Sequence, residues 1–538
     1  MSGPWDVVIV GGGHNGLVCA AYLARAGQRV LVIEQRPVAG GPLLTQEIAP
    51  GFLSSTGADV IGPLRPEVVR DLELTRHGLE LLPIDPTVVA IGDDSTTLRL
   101  WRTVEQTQEE LRRHSARDAA AYPTFHEFLM GLAEALDPIL LRAPPDVQSP
   151  TWADQIALLR RALRLRRRGM DAFRSALRLP VQSLHRLLDE WFETDLLKAT
   201  LAFDALIGTC RGPWSPGTAF GLLRHYAGVA NGQGWAFVKG GMGSFARAVM
   251  AAAGGAGATI RTGTRVRRIM TEDGRATGVE LTDGERIHSK VVVSNADPKR
   301  TFLDLVDPAE LDADFLSQVR AYNTNGCVAK VNIALEELPR FPGWEDGRPP
   351  PSHVRIAPSM EFIERAYDDA KYGGFSQAPV LDVFLPSVVD PSVAPRGKHV
   401  MSVLAQYAPY HLREGTWNAR REDLAGRVMD RLEERLPGIR ARIRTTEVLT
   451  PLDIERTFGM TGGHIYHGEM TLDQLFVMRP VPGWARYRTP IDALYLCGSG
   501  AHPGGGITGA PGYNAARAIM SDLKRIPRGA VAAHAMGL

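Results

Sequence analysis

Gly11, Gly13 and Gly16 fit the spacing G-x-G-x-x-G, and Glu34 follows 23 residues after the first of them. Those residue types suit a dinucleotide. Gly11 makes a tight turn, Gly13 lets a pyrophosphate touch the backbone, and Gly16 lets a helix lie close on a strand. Glu34 can accept hydrogen bonds from a ribose diol. Near the other end, His464, His467, Glu469 and Asp473 crowd one short run, and His502 stands in a glycine-rich loop. On a strand His467 and Glu469 would share a face. They could serve as acid, base or substrate-orienting groups. The plainer reading is a hydrogen-bonded structural pair. His225, Tyr226 and Trp235 could line an apolar tunnel, although aromatic residues in such runs are more often core. No matched set of metal ligands stands out.

The elements that would position these groups are legible. Residues 5–10, WDVVIV, read as a strand buried on both faces. Leu17 to Ala26 reads as a helix, and its N-terminus offers N–H groups and the positive dipole end to phosphates. Val30 to Ile33 reads as a second strand that delivers Glu34. Residues 493–500 read as a strand running into a glycine turn, and Asn514 to Asp522 as a final helix. Thr259 to Asp297 alternates apolar residues with turns at Asp273-Gly274 and Asp283-Gly284, so it reads as hairpin-like strands. Gly241, Gly243 and Ala246 fit G-x-G-x-x-A, but the strand that follows ends without an acid. A second, NAD(P)H-type site there competes with a simple turn that packs a helix.

Length and composition bound the rest. At 538 residues the prior is about three to four domains. The chain is 44% hydrophobic and 22% charged, ordinary for a globular protein. The net charge of +1 provides no field to draw nucleic acid. Arg far outnumbers Lys, which reads first as codon bias. Cys19, Cys210, Cys327 and Cys497 form no CxxC, so neither a structural zinc site nor a dithiol centre is expected. No signal-peptide pattern opens the chain and no apolar run is long enough to span a bilayer. A cytoplasmic protein, or one held at a membrane surface, is expected.

Glu34-Gln35-Arg36 followed by Gly40-Gly41 resembles the extended signature of the flavoprotein amine oxidase and phytoene desaturase superfamily, which favours FAD. Further matches are Gly-His-Asn-Gly-Leu at 13–17, Leu-Arg-Pro-Glu at 64–67, Gly-Gly-Met-Gly at 240–243, Met-Thr-Leu-Asp-Gln-Leu at 470–475 and Cys-Gly-Ser-Gly-Ala-His-Pro-Gly-Gly-Gly at 497–506. Together they resemble the phytoene desaturase-like FAD-dependent oxidoreductases. Within these the resemblance is to the branch of pyridine nucleotide-disulphide oxidoreductase domain-containing protein 2 and the desaturase-like carotenoid ketolases. Pro42 and Ser499 depart from the pattern, standing where many relatives carry a basic and an acidic residue.

The resemblance implies an α/β fold: a Rossmann-like FAD-binding domain with a mixed sheet-and-helix substrate domain. The FAD domain is expected to be discontinuous, from 1–70, 235–310 and 480–523. Residues 71–234 are expected to be mainly helical, 311–479 to form the substrate domain, and 524–538 a disordered tail. It places Gly11, Gly13, Gly16, Glu34, Arg36, Gly40, Gly41, Gly57, Val266, Gly498, Ser499, Thr508 and Gly509 at the cofactor. It implies desaturation of a polyisoprenoid or carotenoid-like molecule, with hydride passing to flavin N5. The alternatives are ketolase-like oxygenation, an NAD(P)H-driven saturase, and a flavin-bound scaffold. Leu158 to Pro180 carries eight Arg among apolar residues at helical spacing. It reads as a basic amphipathic helix that could rest on an anionic membrane, or as an ordinary solvated arginine face. The oligomeric state is not readable from the chain.

Overall fold

The computed structural model describes residues 5–140, 142–145, 177–230, 234–344 and 347–525, with eight scattered residues between 152 and 174. The first strand, β1 (Trp5–Val10), buries its last four residues completely or nearly so. Full burial of each such branched side chain contributes about 1.5–3 kcal/mol. A run apolar on both faces must sit inside a sheet covered twice. β1 accordingly pairs in parallel with Val30–Ile33 on one side and Arg286–Ser294 on the other. In that register Val8 faces Leu31 and Val292. Leu494–Leu496 and Thr259–Arg261 extend the parallel part. An antiparallel meander, Val266–Glu272, Arg275–Leu281 and the start of Arg286–Ser294, grows from one edge. The helices His14–Arg25, Met242–Gly255 and Ala510–Arg525 share one core with this sheet.

A second seven-stranded sheet runs in the order Ile443–Leu449, Val328–Leu335, His399–Gln406, Val380–Phe384, His353–Ile356, Val88–Ile91, Thr97–Leu100. It is antiparallel except where His353–Ile356 meets Val88–Ile91. The helix Trp417–Arg435 packs on one face, burying Leu424, Val428 and Leu432. The helices from Val104–Arg112 to Phe220–Ala230 form a further core with Tyr367 and Tyr407. The strands at 88–100 thus belong to the second sheet, not to a helical region beginning at 71. Their β-branched, turn-bounded runs carry that signal locally.

The cysteines include one pairing that the sequence reading did not name. Cys210 and Cys327 are joined as a disulfide, with Cα atoms 5.6 Å apart across 117 residues of chain. Sequence spacing is blind to a pair that the fold brings together. Cys19 and Cys497 are buried thiols. Among the described residues no helix is long and apolar enough to cross a membrane. The helix Ala510–Arg525 runs two residues into the expected 524–538 tail; residues 526–538 and most of Leu158 to Pro180 lie outside the described residues.

Candidate active site

A cavity of about 440 Å³ runs from the end of β1 to the face of the second sheet. Its first wall is backbone. Gly11 turns at φ +96°, and its N–H donates to the Ile33 carbonyl at 2.8 Å. A Cβ on Gly16 would stand 2.4 Å from the Gly11 carbonyl oxygen, and one on Gly13 2.7 Å from Asn295 Nδ2. Glu34 is 6% exposed, and its two oxygens accept from Gly12 N at 2.7 Å and Arg36 N at 2.9 Å. Gly40 N donates to the Gly12 carbonyl, and a Cβ on Gly57 would strike the Pro42 carbonyl at 2.5 Å. Gly11, Gly13, Glu34, Arg36, Gly41, Gly57, Val266 and Ser499 line the cavity.

Gly16, Gly40 and Gly498 act behind that surface, as places where chains cross without side chains. A Cβ on Gly498 would lie 2.6 Å from the Asn295 carbonyl. Gly509, at φ +70°, turns the chain into the last helix. Thr508 lines a neighbouring, narrower cavity of about 70 Å³. Ser499 Oγ accepts from Asn15 Nδ2 at 3.2 Å, a link between the two ends of the chain.

His467 lines the main cavity. It is placed by a chain of local devices. The helix Pro451–Phe458 starts with a capping box between Thr450 and Asp453 and stops at Gly459 in the left-handed region, φ 70°. Gly462 and Gly463 continue the turn at positive φ. Arg479, fully buried, then donates to the carbonyls of Tyr466, Gly468, Glu469, Gln474 and Ser499, which locks the whole loop. Burial, aided by Arg479 and Arg300 and opposed by Asp297, lowers the His467 pKa, so its imidazole is neutral. Burial also lowers His14 and His464, each to about 3.

No strand carries His467 and Glu469 side by side. His467 has φ 58°, the segment is turn and short 3-10 structure, and the alternation rule does not apply. Glu469 is 2% exposed and lines neither cavity. It accepts from Asn323 Nδ2 at 2.6 Å and Cys210 N at 3.0 Å, tying three loops together. His502 is fully buried against the narrower cavity. His225 and Trp235 stack with ring centroids 5.3 Å apart and also line it, with Trp235 reaching the main cavity as well. Tyr226 does not line either cavity; it is 5% exposed and packs edge-on against His126 in the helical core.

Several residues were not singled out from sequence. Lys330, 2% exposed, pairs with Asp59 at 3.0 Å and also donates to the Ser55 carbonyl. Burial lowers its pKa, against the pull of Asp59. A lone Lys inside the apolar strand Val328–Leu335 was the available signal. Asp382 also lines the cavity, held by Arg355 at 2.9 Å and His353 at 2.8 Å. Among the described residues no three His, Cys, Asp or Glu side chains gather as a metal site. The G-x-G-x-x-A turn is closed off: Met242 N and Gly243 N donate to the hydroxyls of Ser55 and Thr45 at 3.0 and 2.9 Å. A helix end whose donors are already taken is a packing turn rather than a phosphate site.

The cavity suits FAD. Five buried polar atoms among its lining residues, His14 Nε2, Asn15 Oδ1, Trp235 Nε1, Arg300 Nε and His467 Nδ1, have no hydrogen-bond partner among the described residues. Buried polar atoms are rarely left so unless a ligand or water completes them. The glycine cradle, Glu34 and the helix N-terminus supply the nucleotide end, and the C-terminal turn the other. Fold and site together define an FAD-dependent oxidoreductase.

The chain belongs to the flavin containing amine oxidoreductase family, whose model matches residues 16–520. It is 39% identical over 548 residues to pyridine nucleotide-disulfide oxidoreductase domain-containing protein 2 of Rattus norvegicus, covering 97% of this chain and 94% of that one. All-trans-zeta-carotene desaturase of Myxococcus xanthus is 27% identical, covering 93% and 90%. Among solved structures, an oxidoreductase from Methanosarcina mazei superposes with TM-score 0.61 at 18% identity, covering 96% of this chain and all of that one. That likeness speaks for the fold.

Proposed function

We propose that the protein desaturates an extended apolar molecule of polyisoprenoid or carotenoid-like type. The observation that carries this is the shape and lining of the site. Beyond the nucleotide cradle, the cavity wall carries Ile207, Val328, Leu404, Ile454, Ile465 and Phe384, with the charges of Lys330 and Asp382 set into it but paired to Asp59 and Arg355, and it shares Ile207, Trp235, Tyr466 and Gly506 with the narrower cavity. Such a passage suits a long, thin substrate better than a compact polar one. The carotene desaturase relative supports the same reading.

Desaturation removes a hydride from one carbon and a proton from its neighbour. FAD supplies the hydride acceptor when bound. The neutral His467, with Nδ1 unpartnered, supplies a proton acceptor at the cavity wall. Glu469 and Arg479 hold its loop. The test is single turnover of the FAD-loaded protein with a partly saturated polyene, followed by product mass. A product lighter by two hydrogens is expected, and its absence across a panel of such chains refutes the reading.

A membrane source for the substrate has its own support. Trp152, Ile156, Leu159 and Leu163 fall at helical spacing and are exposed, Trp152 by 80% and Leu159 by 61%, beside exposed Arg160 and Arg166. Apolar side chains flanked by arginines match an anionic lipid surface. Flotation with phosphatidylglycerol vesicles is expected to carry the protein upward, and Arg160→Gln with Arg166→Gln to reduce it.

A further inference from the structure

Three charged side chains line the narrower cavity: Arg65, Asp204 and Arg224. Two are neutralised. Arg65 reaches both oxygens of Asp137, at 2.5 and 3.0 Å. Asp204 takes Arg355 at 2.9 Å. Arg224 differs. Among the described residues it makes no ion pair; its Nη2 donates to the Ile207 carbonyl at 2.7 Å and its guanidinium lies 5.1 Å over the Tyr466 ring. A guanidinium holds five N–H donors in a planar fork and keeps its charge at all physiological pH. One donor is engaged here.

The placement is not accidental to the helix. Phe220, Leu223, Arg224, Ala227 and Gly228 of Phe220–Ala230 all line this cavity. They recur at three- and four-residue spacing, one helix face. Arg224 is half-buried and shares this wall with apolar residues and His225; a guanidinium drawn partly out of water gains from an anion that meets it. The nearby imidazoles do not offset the charge. Trp235, which lines both cavities, adds an indole N–H with no acceptor.

We infer that Arg224 receives a carboxylate of the substrate, so that the substrate is an extended apolar acid, with its acid end in the narrower cavity and its hydrocarbon body toward the flavin. This rests on reading the joined cavities as the substrate site. A carboxylate fits the guanidinium fork bidentately and is small enough for the narrow end.

The test is calorimetric binding of geranate and geraniol to the FAD-loaded protein, wild type and variants. Geranate is expected to bind about ten-fold or more tighter than geraniol. Arg224→Gln is expected to abolish most of that preference while leaving geraniol affinity within about two-fold. Arg224→Lys, which keeps charge but loses the fork, is expected to retain an intermediate preference. Equal affinities in the wild type, or a preference untouched by Arg224→Gln, overturn the inference. Should Arg224→Gln fail to fold, a preference undiminished in Arg224→Lys overturns it. The readout needs no turnover, so the two proposals fail separately. Geranate preference without oxidation of any polyene counts against desaturation alone. Oxidation without acid preference counts against Arg224 alone.

Discussion

The two ends of the main cavity are built on different principles. The nucleotide end is backbone: Gly11, Gly13, Gly16, Gly40 and Gly57 remove side chains so that segments and ligand can touch. The end proposed for the substrate is side chain: Lys330 with Asp59, Asp382 with Arg355 and His353, His467 on its arginine-locked loop. The first tolerates little variation: a Cβ on Gly16 or Gly57 meets backbone, one on Gly13 or Gly40 meets the side chain of Asn295 or Ala246, and Gly11 and Gly40 hold positive φ. The second can be rebuilt residue by residue around a fixed flavin. That division predicts different kinds of damage at the two ends.

The sharpest contrast is expected at His467. His467→Gln should lower kcat by about 10²–10⁴ while flavin absorbance stays, the range for loss of a positioned acid–base group. Unchanged turnover in stopped-flow would reduce His467 to a structural role. Lys330→Met leaves Asp59 buried and unpaired and should destabilise by about 3–5 kcal/mol in denaturant titration. Adding Asp59→Leu should recover much of that loss, since the pair is removed whole. At the backbone end, Gly16→Ala forces a Cβ onto the Gly11 carbonyl. A cost of about 1–3 kcal/mol is expected, read as weaker FAD retention on gel filtration. Gly254→Ala, in a helix with nothing within 4 Å of the new methyl, should instead stabilise by about 0.4–1 kcal/mol.

Acid should loosen the protein through its buried histidines. His14 and His464 are held neutral to about pH 3, whereas unfolded imidazoles protonate near 6.5. The unfolded chain therefore binds more protons below 6.5, and stability falls as pH drops from there toward 3. His464→Gln should flatten that slope in thermal melts between those limits.

The backbone end was largely legible because it is local. Strand, glycine turn, helix, strand and Glu34 fall within the first 34 residues, and each residue type has one mechanical reason. The side-chain end was legible only in pieces. Lys330 and Asp59 lie 271 residues apart, and nothing in either neighbourhood names the other. His467 was found by residue type, but its partnership with Glu469 assumed strand alternation, and Gly462, Gly463 and Gly468 instead bend the chain. Tyr226 and Arg224 share one helix. Which of them faces the ligand depends on helix rotation, which packing decides and composition does not.

The most direct test is an anaerobic visible spectrum of the purified protein, taken before and after a partly saturated polyisoprenoid, and separately before and after NADPH. Flavin bands that bleach with the polyisoprenoid and persist with NADPH are the expected result. Bleaching by NADPH with none by any polyisoprenoid would contradict desaturation and make the protein a reductase or oxygenating enzyme. A preparation that holds no flavin when saturated with FAD would contradict the site itself.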